Sequence, residues 1–248
     1  MSGHSKWSTI KRRKGAVDAK RSKIFSRISK ELTVAAREGG PDPETNPRLR
    51  LAVNNAKGVN MPKENVLRAI NKAEKDDAVL LETTYEGYLP NGIAVFIECL
   101  SDNNNRTVGN IRSIFNKRGG NLGTNGSLSY IFDRKGVFNV AKGNFDPDEL
   151  QLELIDAGID DFQIEEDMFV ITCPLEDFGN VQKKLEEMGI QSEVSELQRI
   201  PNDTKVLPVG EALKIMRIIE EFEEDEDIQN VFHNLELTDE LMEAMENR

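Results

Sequence analysis

The apolar spacing of the chain changes once, near residue 80, and that change limits the fold more than any other feature. Up to Lys75, apolar residues recur every three or four positions, the period of a helix face. Beyond the acid-flanked break at 76–82, DDAVLLE, they come in short runs bounded by Gly, Pro and Asn, the pattern of strands joined by turns. The expected layout is therefore a helical N-terminal part followed by α/β parts.

Within the first part, DAKRSKIFSRISKELTVAAREGG places Ile24, Phe25, Ile28, Leu32 and Ala35 on one helix face, and Gly39-Gly40 ends the helix. Asn46 then caps, and Pro47 opens, a second helix carrying Leu49, Val53 and Ala56. NMPKEN starts a third, with Val66, Ile70 and Ala73 as its stripe. Three such helices predict a small bundle.

The second part reads as strands TYEGY and GIAVFIECL joined through Pro90-Asn91-Gly92, a helix over NRTVGNIRSIFNKRGG with Val108, Ile111 and Phe115 inward, and a strand GSLSYIF. From Val137 the order is strand, helix, strand, strand, helix, strand, the ferredoxin-like βαββαβ arrangement, its first helix opened by Asp146, Pro147 and Glu149. GEALKIMRIIEEFEE and a strand around NVFHN supply the αβ pieces that the unit before it lacks. The fold class expected is α+β: a basic three-helix bundle followed by two ferredoxin-like α/β domains, one inserted into the other. The boundaries predicted are 1–82, 83–135 plus 206–248, and 136–205, with a colinear two-domain arrangement as the alternative. The acidic run Glu220 to Asp227 reads as an exposed helix end.

Charge follows the same division. Up to Lys75 there are 18 Lys and Arg against 7 Asp and Glu, a net of +11; the rest holds 14 against 37, a net of −23. The overall −12 thus conceals a cationic part suited to polyanions and an acidic part that repels them, since phosphate neutralisation is the main source of nucleic-acid affinity. Lys20, Lys23, Arg27, Lys30 and Arg37 form a second stripe on the first helix, away from its apolar face. Ahead of it lies the arm GHSKW, with His4, Ser5, Lys6 and the single tryptophan, Trp7, which either stacks on a base or pins the arm to the helices. Lys11, Arg12, Arg13 and Lys14 repel one another unless an anionic partner intervenes. The nucleic-acid-binding residues expected are therefore His4, Ser5, Lys6, Trp7, Lys11, Arg12, Arg13, Lys14, Lys20, Arg21, Lys23, Arg27 and Lys30. The loops SDNNNRT and GGNLGTNGS add Asn104, Asn105, Arg106 and Asn121 as candidate contacts, against a reading as plain turn chemistry.

Enzyme classes are not expected. His4 and His233 are the only imidazoles, Cys99 and Cys173 sit in apolar stretches far apart, and neither a nucleophile motif nor a zinc spacing can be assembled from them. Glu98 and Asp102, a conceivable carboxylate pair, read as surface and loop residues. No catalytic residue, metal or cofactor is expected, nor a small-molecule substrate. No apolar run suits a membrane span and no apolar segment follows the basic N-terminus as in a secretory leader, so a cytoplasmic protein is the expectation.

The motifs GHSKW, KRSKIF, NPRLR, NMPKEN followed by RAI, YEGY, SDNNNRT, GGNLG and VFHN run along essentially the whole chain. Together they resemble the YebC/PmpR family of probable transcriptional regulators, whose mitochondrial relative is a translational activator of cytochrome c oxidase. The resemblance implies three domains, one helical and two α/β, and a nucleic-acid-linked function without catalysis. It leaves two processes: translation, as a factor bound to ribosomal RNA and ribosomal proteins that helps synthesis through difficult stretches, and transcription, as a DNA-binding regulator. A basic stripe of lysine and arginine, suited to backbone phosphates, favours the first; the second is the alternative.

Overall fold

The computed structural model of the chain describes residues 18–75, 80–165 and 167–247, the side chains of 18–20, 74 and 75 excepted. Three helices, α1 (Asp18–Gly39), α2 (Pro47–Gly58) and α3 (Lys63–Lys75), follow the helical spacing read from the sequence. Leu32, Ala35, Leu49, Ala56, Val66 and Ile70 share one core, and Phe25, Ile28, Val53 and Ala73 pack against it. The α1–α2 corner is tied by one buried amide. Asn46 Oδ1 accepts the Leu49 N–H at 3.0 Å, capping α2, while Nδ2 donates to the carbonyls of Ala35 at 2.7 Å and Gly40 at 2.8 Å. Gly40 makes the corner with φ at +89°, a conformation that favours glycine.

The remaining elements form two four-stranded sheets. In the first, β1 (Leu81–Leu89) and β2 (Ile93–Ser101) make an antiparallel hairpin whose turn holds Asn91 and Gly92 at φ 62° and 70°. α4 (Asn104–Lys117) leads to β3 (Asn121–Leu122), which pairs with β1. The second sheet follows the predicted βαββαβ order: β4 (Phe132–Ala141), α5 (Pro147–Ile155), β5 (Asp161–Ile164), β6 (Met168–Pro174), α6 (Phe178–Glu187) and β7 (Ser192–Pro201), with strands arranged β5-β6-β4-β7 as in a ferredoxin-like sheet. The chain then returns to the first sheet with α7 (Val209–Glu223), β8 (Ile228–His233) and α8 (Asp239–Glu246). The first sheet runs β3-β1-β2-β8, so β2, α4 and β3 bracket β1 as a split βαβ. Strand positions match the ferredoxin-like arrangement while the connections are permuted.

Chain contacts divide the molecule into two compact units: residue 24 to the end of α3 with 134–198, and β1 to residue 133 with residue 199 to the end of α8. In the second of these, Ile111, Phe115, Ile215, Ile219 and Phe222 of the helices pack on Val95 and Ile97 of β2. In the first, Phe138, Leu154, Phe169, Ile171, Val181 and Leu185 make the core of the inserted sheet. Its edge strand β7 is met by a side chain of the bundle. Asn55 Nδ2 donates to the Ser195 carbonyl at 2.9 Å, and Asn55 Oδ1 accepts the Ser195 N–H at 3.1 Å, so one amide replaces a neighbouring strand. A Cβ on Gly58 would collide with the carbonyl oxygen of Glu193, which explains a glycine at the end of α2. Cys99 and Cys173 are both buried, and burial pushes the pKa of the Cys173 thiol up to about 12. None of the described helices is long and apolar enough to cross a membrane.

Three local expectations are corrected, and one element is added. GSLSYIF is a series of turns, with only Phe132 entering a strand, because the N–H groups of Gly126 and Leu128 are taken by the carboxylate of Glu86 instead of a neighbouring strand. In α4 it is Thr107, not Val108, that is fully buried beside Ile111 and Phe115. The acidic run after α7 is not wholly exposed, since Asp227 is 3% exposed. Finally, Leu241 and Met245 bury one face of a short helix, α8, capped by Thr238, which accepts the Leu241 N–H.

Candidate nucleic-acid interface

The cations of the bundle divide into those that hold the fold and those that face solvent. Arg48 lies between Glu31 and Glu38, its Nε 2.8 Å from one carboxylate and its Nη1 2.6 Å from the other. Arg50 donates to the carbonyls of Pro43 and Glu44. Both therefore brace the α1–α2 corner. By contrast Lys23, Lys57, Lys63 and Arg68 are exposed, and none makes an ion pair among the described residues. Arg21 is exposed as well, and Arg27 and Lys30 are half-buried. His4, Ser5, Lys6, Trp7, Lys11, Arg12, Arg13 and Lys14 lie outside the described residues, as does the side chain of Lys20.

The two polar loops sit at opposite ends of α4, roughly 20 Å apart along its axis, so they do not make one site. At the first, Asn103 caps α4 by accepting the Arg106 N–H at 3.1 Å. The Arg106 guanidinium donates to both carboxylate oxygens of buried Asp227, at 2.8 and 3.0 Å, and to Asp102 at 2.8 Å. Hydrogen bonding to Asp227 raises the pKa of Arg106 further above its ordinary value. The Thr107 hydroxyl lies 2.8 Å from Ser101 Oγ and 3.0 Å from Asp227 Oδ2. Arg106 is thus committed to the fold, Asn104 is half-buried, and Asn105 faces solvent.

At the second loop Asn121 is exposed on β3, opposite Tyr88 of β1. Sequence reasoning did not single out the residue that organises this loop, Glu86, whose carboxylate is 4% exposed and accepts the N–H groups of Gly126 at 2.7 Å and Leu128 at 2.6 Å. An acid between Tyr85 and Gly87, at the start of the buried half of β1, was the available signal. Asp227 was hidden in a run of acids. Among the described residues no group of three or more His, Cys, Asp and Glu could hold a metal ion.

Residues 5–76 match the family described as the TACO1/YebC protein N-terminal domain, and residues 80–235 the TACO1/YebC second and third domain. A probable transcriptional regulatory protein of Amoebophilus asiaticus is 47% identical over 239 residues, 95% of this chain and 98% of the relative. One of Porphyromonas gingivalis, with the same description, is 50% identical over 216 residues, 86% of this chain and 89% of its own length. The crystal structure of a conserved hypothetical protein of Aquifex aeolicus superposes with a TM-score of 0.81 at 38% identity, covering 91% of this chain and 94% of that one.

Proposed function

Because the chain belongs to the TACO1/YebC family, we propose that it regulates gene expression without catalysis, by binding nucleic acid through its cationic N-terminal part. The observation that carries this reading is the charge division, +11 up to Lys75 against −23 beyond it. A polyanion is drawn to one part and turned away from the other. Relatives named as probable transcriptional regulatory proteins put the weight on DNA and transcription. A second reading, an RNA- or ribosome-associated role in translation that contacts ribosomal RNA and ribosomal proteins, draws support from α1. That helix contains no Asn or Gln to read adenine edges, and its Lys and Arg suit the phosphates of either nucleic acid.

The arm supplies the test of binding. Replacing Lys11, Arg12, Arg13 and Lys14 together by alanine lowers affinity for both duplex DNA and RNA and reduces the slope of log affinity against log salt by as much as about four. An unchanged slope removes the arm from the interface. Sequencing the DNA and RNA crosslinked to the protein in cells then separates the two processes: discrete promoter fragments support transcription, and recovery of ribosomal RNA in their place supports translation.

A further inference from the structure

The loop after β3 carries a side chain that the cationic bundle does not account for. Residues 119–132, GGNLGTNGSLSYIF, contain no charged residue, in a chain of which 31% is Asp, Glu, Lys and Arg. Tyr130, within this stretch, is 72% exposed, the most exposed large apolar side chain among the described residues. Water contact of that extent on a large ring is unfavourable unless something covers it.

The loop is held in place beneath that ring. Glu86 Oε1 accepts from Gly126 N, Glu86 Oε2 accepts from Leu128 N, and the Glu86 carbonyl accepts the Gly123 N–H at 2.7 Å. Leu128 and Phe132 insert between Ala94, Phe96 and Phe232 on the sheet face opposite the helices. The far end is fixed by Asn202, whose N–H reaches the Ile131 carbonyl at 2.8 Å. The ring itself is steadied by its hydroxyl, 3.3 Å from that of Tyr88. Around it Asn121, Thr124, Asn125 and Ser129 are exposed and uncharged.

Resting on the nucleic-acid reading above, we propose that Tyr130 is a stacking platform for an unpaired nucleobase, with the amides and hydroxyls of this loop hydrogen-bonding its edge. An aromatic face held ready before binding saves the entropy of ordering it, and stacking accepts any base. The absence of acidic side chains from residues 119–132 lets a phosphate backbone approach here, as it cannot over most of the acidic part. Unpaired bases occur in single-stranded RNA and in opened DNA, so the ligand chemistry is the exposed base and the source is read by experiment.

Fluorescence anisotropy of the full chain with labelled oligo(U) RNA, oligo(dT) and a duplex of equal length provides the test. Tyr130→Ala is expected to weaken single-strand binding about tenfold and to leave duplex binding unchanged, while Tyr130→Phe, which keeps the ring and loses only the contact with Tyr88, retains most of the wild-type affinity. A larger effect on oligo(U) than on oligo(dT) assigns the source to RNA, and the reverse to DNA. Photocrosslinking of wild-type protein to 4-thiouridine-substituted RNA and iodouracil-substituted DNA is expected to label the tryptic peptide between Arg118 and Arg134. This second readout stands whether or not the variant folds. Unchanged single-strand affinity of Tyr130→Ala, equal loss on single strand and duplex, or labels confined to other peptides overturns the proposal while the nucleic-acid reading survives. Wild-type protein that binds none of the three at low salt overturns both.

Discussion

The two loops at the ends of α4 are both polar and carry Asn, and each closes over one buried carboxylate, yet they do opposite things with it. Asp227, 3% exposed, collects side chains: the guanidinium of Arg106 and the hydroxyl of Thr107. Glu86, 4% exposed, collects backbone, the N–H groups of Gly126 and Leu128. In the first loop the polar signature residues turn inward and are used up by the fold. In the second the carboxylate takes mainly main-chain donors, with the Ser127 hydroxyl a longer contact at 3.4 Å, and the side chains of Asn121, Asn125 and Tyr130 are left facing water. Polar loop composition is therefore a poor guide to binding until the anchoring acid is located.

The comparison breaks first at Glu86. Glu86→Ala strands two N–H groups, and that of Leu128 is buried, beyond the reach of water unless the loop opens. It is expected to lower unfolding free energy by about 3 kcal/mol in urea melts, with faster amide exchange at Gly126 and Leu128 and none added at Arg106. Loss of protection at both loops would mean that they are one cooperative unit. Asp227→Ala comes next, at about 2 kcal/mol, because the half-exposed guanidinium of Arg106 can turn to water and the buried Thr107 hydroxyl keeps Ser101 Oγ and the Asn103 carbonyl as partners. Its exchange signature is confined to the turn between β2 and α4. Arg106→Lys is smaller again. Lysine keeps the charge but loses the forked donation to both oxygens of Asp227, and a melting temperature as low as that of Asp227→Ala would show that the fork, not the burial of the carboxylate, holds this loop.

Much of the fold was legible because its signals are periodic. Leu32, Leu49 and Ile70 are buried where helical spacing puts them, and Asn46-Pro47 opens α2 as cap and first residue. The failures share one cause, a long-range polar partner that spacing does not reveal. Val108 outranks Thr107 on hydropathy, but Thr107 goes inside because Ser101 and Asp227 meet its hydroxyl there. Leu128, Tyr130 and Phe132 alternate like a strand, and Glu86, 42 residues from Leu128, removes the N–H groups that a strand would use. Of the candidate contacts, Asp227 decides Arg106. The cations of α1 to α3 could be counted in the sequence, whereas the withdrawal of Arg48 to Glu31 and Glu38 required the packed corner.

The smallest expected effects sharpen the comparison furthest. Asn105 and Asn121 are both exposed and neither side chain takes part in a hydrogen bond among the described residues. Asn121 joins the sheet through its backbone opposite Tyr88. Replacing either by alanine should shift unfolding free energy by less than about 0.5 kcal/mol, so any change in binding reports on contact and not on folding. If the inward loop serves the fold and the outward loop serves recognition, Asn121→Ala weakens single-stranded oligonucleotide binding by about fivefold, the worth of one net hydrogen bond, and Asn105→Ala leaves it unchanged. Equal losses would place both ends of α4 against one extended ligand, since the roughly 20 Å between them exceeds the reach of a single nucleotide.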